Sequence, residues 1–147
     1  MSTTTDSAAG LRAWAKGMYP TEAAVELLIR SGMNRGPWIK PADNSELFWF
    51  DTSEVDNVGY LSGSEYRLLS IAASLADSRA TVALTDVLSG LGRENLTLVL
   101  AAVAHAAGSH EHSGPLVPME NGRWRAADGT SMGLERIDSL YPWPELS

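Results

Sequence analysis

The 147-residue chain has no cysteine. Disulfides, thiolate nucleophiles and sulfur-ligated zinc sites are therefore excluded. Basic residues are scarce: 11 Lys and Arg stand against 18 Asp and Glu, for a formal net charge of −7. A duplex nucleic acid is a polyanion that usually requires a basic stripe, so nucleic acid is disfavoured as a partner and a basic protein suits better. No long apolar run exists. The longest, Leu98 to Ala104, is far short of the roughly 20 residues of a membrane span. Met1 to Gly10 contain neither a basic residue nor an apolar core, which argues against a signal peptide. These absences lead to the expectation of a soluble, cytoplasmic protein. Two lysines against nine arginines, with 19 alanines, point to GC-rich coding and a bacterial or phage source.

No phosphate-cradling G-x-x-x-x-G-K-[ST] loop is present, since Lys16 precedes Gly17 and Lys40 precedes Pro41. Nor is there a G-x-S-x-G nucleophile elbow. Hydrophobic residues make up 44% of the chain, enough for a core without a metal or a cross-link to support it.

Local signals divide the chain. Residues 1–18 lack periodicity and read as a flexible N-terminal segment. Thr21 reads as an N-cap for a helix over 21–31, ended by Ser31-Gly32. Residues 37–51 alternate turn formers with Trp38, Ile39, Phe48, Trp49 and Phe50, which predicts strands around the turn Pro41-Ala42-Asp43-Asn44. An acidic loop, 51–59, follows. Ser62-x-x-Glu65 is a capping box before a helix over 65–76, with Leu68, Leu69, Ile71, Ala72 and Leu75 as its buried stripe. Thr81–Leu84 reads as a short β-like run or a linker, and Thr85 as the cap of a helix over 85–91. A helix over 93–107 is apolar nearly all round, which predicts a central or interfacial position. Asn121-Gly122 predicts a hairpin with a two-residue turn within 116–127. Leu134, Ile137, Leu140 and Tyr141 recur at helical spacing and predict a short amphipathic helix. The expected fold is α+β and mainly helical, with a small antiparallel sheet or hairpins packed on three to four helices. Its expected organisation is a globular core over 19–108 and a hairpin plus short helix over 109–147.

Leu61-Ser62-Gly63-Ser64-Glu65 resembles the signature segment of ATP-binding cassette ATPases, Leu-Ser-Gly-Gly followed by Gln or Glu. Ile71-Ala72 and Ser74-Leu75-Ala76 are similar to the helix after that signature, Val82-Ala83-Leu84 to the strand before the family's Asp-Glu pair, and Leu88-Ser89-Gly90-Leu91 to the loop after it. The likeness spans residues 61–91. It implies that Ser62 and its neighbouring backbone contact the γ-phosphate of ATP held by another subunit. The chain departs at the pair itself, which is Thr85-Asp86, and at Gly92, where the family has an Asp. The competing reading of Ser62 and Glu65 is a helix start.

Three further constellations carry chemistry. Residues 85–107 have helix-turn-helix spacing, but Asn95 to Ala102 offer few polar groups to base edges. His105, His110 and His112 supply imidazoles that suit a transition metal, although no H-E-x-x-H frame is present. Asp51, Glu54 and Asp56 could hold a hard cation or serve acid–base chemistry, but lack EF-hand spacing. The same carboxylates lie beside Trp38, Phe48, Trp49 and Tyr60. Aromatic anchors within a polar rim are how protein interfaces obtain most of their energy.

The favoured functional expectation is a non-enzymatic regulatory or accessory protein that needs no cofactor and binds another protein, a basic one suiting the acidic charge. The partner surface is expected at Trp38, Phe48, Trp49, Asp51, Glu54, Asp56 and Tyr60. Self-association through 93–107 is a further expectation. The alternatives are a metal-dependent enzyme using His105, His110 and His112 or the loop 51–56, and a degenerate nucleotide-site or helix-turn-helix protein.

Overall fold

The structure is a computed structural model that describes residues 7–43, 45–112, 116–118, 120, 122, 124–126, 135–136 and 138–145. It is α+β and mainly helical. Helix α1 (Ser7–Ala15) is followed by α2 (Tyr19–Arg30). Strands β1 (Ile39–Pro41) and β2 (Phe48–Phe50) form an antiparallel hairpin in which Ile39 pairs with Phe50 and Lys40 with Trp49. A 3-10 helix (Thr52–Asn57) leads to α3 (Gly63–Ala76), α4 (Leu84–Leu88) and α5 (Arg93–Ala106). Four short strands follow: β3 (Glu111–His112), β4 (Leu116–Pro118), β5 (Trp124–Ala126) and β6 (Glu135–Arg136). β3 pairs with β6 and β4 with β5, both antiparallel. Among the described residues, no helix is long and apolar enough to cross a membrane.

The core lies where α2 packs against both α3 and α5. Ala23, Ala24, Leu27 and Leu28 of α2 meet Leu68, Leu69 and Ala72 of α3 and Leu98, Val99 and Ala102 of α5 in one buried cluster. The alanines keep the facing surfaces low, so the larger side chains interdigitate and the helix axes can approach closely. Trp38, Phe50, Val55, Val87 and Leu91 close the periphery of this cluster from the hairpin, the 3-10 helix and the α4 region.

Helices α2 and α5 end alike. Met33 donates to the Leu28 carbonyl across Gly32, at φ +78°, and Ser109 donates to the Ala104 carbonyl across Gly108, at φ +77°. This wrap-back bond needs a left-handed residue just past the helix, the position glycine fills at least cost.

Several expectations are corrected. Residues 7–15 are not a flexible segment: they form α1, with Leu11 and Ala15 fully buried against Val25. An added Cβ at Gly10 would stand 2.6 Å from the Glu46 carbonyl oxygen and 2.7 Å from the Phe48 ring, so the absent side chain lets β2 lie on α1. Thr21 is not an N-cap. α2 begins at Tyr19 with Pro20 in its first turn, where a missing amide proton costs nothing, and Thr21 is buried. The stretch 51–59 is not only loop, because the Asp51 side chain caps the 3-10 helix by accepting the Ser53 amide. Of the two readings of 81–84, residues 81–83 are linker and pair with no strand among the described residues, and Ala83, not Thr85, is the N-cap of α4. Pro118 pairs with Trp124, so the hairpin connection spans 119–123 rather than two residues, with Gly122 at φ +79°. Asn121 lies outside the described residues.

The C-terminal amphipathic helix is absent among the described residues. Glu135 and Arg136 form β6, and 138–145 are irregular, with Leu140 almost fully exposed and Tyr141 exposed. Leu134 and Ile137 lie outside the described residues. Three-to-four spacing alone cannot hold so short a helix when no packing surface receives it.

Candidate functional site

The hairpin divides the expected partner residues between core and surface. Trp38 is 2% exposed and its indole N–H donates to the Met33 carbonyl at 2.8 Å; Phe50 is 3% exposed. Trp38 is therefore a core residue and is corrected as a partner contact. Phe48 is half-buried against α1. Trp49 on the opposite face is 36% exposed, and Tyr60 is 73% exposed.

The expected acidic rim is largely satisfied internally. Lys40, opposite Trp49 in the ladder, holds its Nζ 5.9 Å from the centre of the Trp49 ring. The same ammonium donates to Asp51 Oδ2 and lies 3.7 Å from Glu54 Oε1. The Lys40 bond, followed by the Ser53 hydroxyl, holds the Asp51 carboxyl below its ordinary value. Asp56 accepts from the Tyr66 hydroxyl at 2.7 Å, which raises the Tyr66 pKa. The structure thus brings together Lys40, Trp49, Asp51 and Glu54, while Asp56 turns to α3. Beside Trp49 runs an open groove of about 700 Å³ bounded by Trp14, Trp49, Asp51, Ser53, Asp77 and Arg79. Trp14 and Arg79 were not legible as members of this surface, because α1 and the end of α3 meet the hairpin only in the fold.

In the wall of this groove, Asp77 accepts from the Arg79 side chain and amide and from Thr52 Oγ1 at 2.9 Å. The Arg79 side chain, then its amide, then Thr52 pull the Asp77 carboxyl from 3.8 to about 2. A depressed carboxyl stabilises the fold above its unfolded value and loses that contribution as pH falls through the folded one. Urea midpoints of the wild type are expected to fall more steeply between pH 3.8 and pH 2 than those of Asp77→Asn. Equal slopes would show that ionised Asp77, with its bonds to Arg79 and Thr52, contributes nothing to stability.

His105, in the last turn of α5, places Nε2 2.8 Å from Glu22 Oε1. The His110 ring stacks on His105 at 4.3 Å and 10°, and Tyr19 sets its edge against both. Burial pushes the Glu22 carboxyl up, but the Gly17 amide and then His105 outweigh it and leave the group below its ordinary value. The His112 side chain lies outside the described residues. Among the described residues, no three His, Asp or Glu side chains gather as a metal site, whether at the imidazoles or at Asp51, Glu54 and Asp56.

The cassette-like segment has a local explanation. Ser62 Oγ accepts the Glu65 amide at 3.2 Å and Glu65 Oε1 accepts the Ser62 amide at 3.0 Å, the two bonds of a capping box. Ser64 donates to the Leu91 carbonyl and accepts from Asn95, and Arg67 donates to the Asp86 carbonyl. These bonds tie α3 to the α4–α5 turn and occupy Asn95, one of the few polar side chains that a recognition helix would present to DNA. Ser62→Ala is expected to cost about 0.5–2 kcal/mol in chemical denaturation.

The chain has no significant match to any protein-family model, curated protein or solved structure. The likeness of residues 61–91 to the cassette signature therefore stands on its motif alone.

Helix α5 presents a second surface. Its buried side is Leu98, Val99, Ala101 and Ala102. On the other side Leu96, Leu100 and Val103 are 41%, 42% and 54% exposed. Of the central and interfacial positions expected for this helix, the fully central one is corrected: among the described residues, only one face is covered. Spacings of four and three place these residues in one line, with Arg93 and Ala107 continuing it at either end.

Proposed function

We propose that this protein is a non-enzymatic accessory or regulatory protein that acts by binding another protein. The reading rests chiefly on the exposed apolar line of α5. Single exposed leucines are ordinary, but a linear apolar strip on a helix whose opposite face is core is the geometry that a partner helix fills. Alternation of three and four residues matches the seam of a left-handed helix pair. Trp49 and its groove form a separate aromatic surface. Lys40 offsets part of the charge of Asp51 and Glu54, so electrostatic attraction of a basic partner is weaker there than the acidic count suggests.

The line also suits a second copy of this chain, which is the simplest partner to test. A photoreactive residue at position 100 is expected to form an adduct with the partner in the native host. Leu100→Glu is expected to abolish the interaction while leaving the melting curve of the dilute, unpartnered chain unchanged, because Leu100 is not in the core. Leu140→Glu, at an 87% exposed position outside the line, serves as the control and is expected to bind as the wild type. Light scattering of the purified chain distinguishes self-association from binding to a different protein. Identical binding by the wild type and Leu100→Glu would refute α5 as the contact surface.

A further inference from the structure

A separate cavity of about 270 Å³ is bordered by α1, α2, the end of α5 and Trp143 of the C-terminal segment. Its walls carry Arg12, Lys16 and Arg30 against Glu22 and Glu26, with His105 at the rim. Among the described residues, three Lys and Arg side chains face two carboxylates there, in a chain whose total charge is −7. We infer that this cavity binds a small organic oxyanion, a carboxylate or phosphate monoester carrying a single flat apolar body.

The carboxylates in the wall are already engaged. Glu26 accepts from Arg12 Nε at 2.7 Å, Arg12 Nη2 at 3.2 Å and Arg30 Nε at 3.0 Å. Burial pushes Glu26 up, but the bonds to Arg12 and then Arg30 outweigh it, so the group stays ionised. Glu22 is held by the Gly17 amide at 2.9 Å and by His105. Neither acid is therefore a ready counter-ion for Lys16, which makes no ion pair among the described residues.

One of the donors is held in place before any ligand arrives. Arg30 is fixed by Glu26, by the Pro144 carbonyl at 2.9 Å and by the Trp143 ring 5.0 Å from its Cζ. Its Nη2 makes no hydrogen bond among the described residues. A guanidinium held this way loses little freedom on binding, and guanidinium and ammonium groups both match an oxyanion. Buried Ala15 and Val25, with Trp143, supply the apolar part of the wall. The volume lies below the roughly 300–1,000 Å³ of drug-sized sites, which limits the ligand to about one ring.

Isothermal titration of the full chain with benzoate, phenyl phosphate, inorganic phosphate and benzamide tests this. Benzoate or phenyl phosphate is expected to bind saturably in the millimolar range or tighter, and the one that binds better identifies the headgroup. Benzamide, which has the ring without the charge, is expected not to bind. Lys16→Gln is expected to weaken the anion about tenfold. Its melting curve should match the wild type, because Lys16 is exposed and makes no ion pair among the described residues. Absence of saturable binding by either aromatic anion would overturn the inference. So would equal binding of benzamide, binding of inorganic phosphate as tight as that of phenyl phosphate, or full affinity in Lys16→Gln.

Discussion

Replacing Trp38 by alanine is expected to lower the unfolding free energy by about 3–5 kcal/mol. The ring is fully enclosed by the main cluster, and Gly36, at φ +132°, lies so close that an added Cβ would meet the ring at 2.6 Å. The substitution removes this packing and also leaves the Met33 carbonyl without its indole donor. Large aromatic truncations cost the transfer of the ring and the cavity left behind, because the surroundings relax only in part. Trp49→Ala is the internal comparison. Its ring rests on one face of the hairpin, is more than one-third exposed, and meets Lys40 in a solvent-facing contact. Its loss is expected to cost no more than about 1 kcal/mol. Equilibrium urea unfolding separates the two. A cost below about 1 kcal/mol for Trp38→Ala would mean that the hairpin is not integral to the core.

The second large effect is expected within α5. Leu98→Ala should cost about 2–5 kcal/mol, because Leu98 is nine-tenths buried between α2 and α3. Leu100→Ala, two residues further on, should stay within about 1 kcal/mol, since its side chain lies on the line open to solvent. Any cost of Leu100→Ala that grows with protein concentration would report self-association through this face, because binding to the folded state adds stability by mass action. A large, concentration-independent cost for Leu100→Ala would contradict its placement on the surface.

The helices α2, α3 and α5 were legible because their signals are local. Ser62 and Glu65 are three residues apart, and the glycines that end α2 and α5 act on bonds within a single turn. The hairpin over 37–51 was legible for the same reason, as a turn between aromatic runs. Helix α1 was not. Its apolar content is mostly alanine, and its helical state depends on Leu11 and Ala15 finding Val25 and on β2 approaching Gly10. The face of α5 was equally hidden, because a helix apolar on nearly every side does not reveal by periodicity which side the core takes.

The acids and imidazoles mark the boundary most sharply. Composition alone established an acidic, cysteine-free chain and excluded thiol chemistry. It could count Asp51, Glu54, His105 and His110 but could not assign their partners. Lys40 reaches Asp51 across the hairpin ladder, Glu22 meets His105 from 83 positions away, and Arg30 meets Pro144 from 114 positions away. Caps, turns and periodicity operate over three or four residues and are written in the order of the chain. Which charges are compensated, and which apolar faces stay open, is decided by packing between segments distant in sequence.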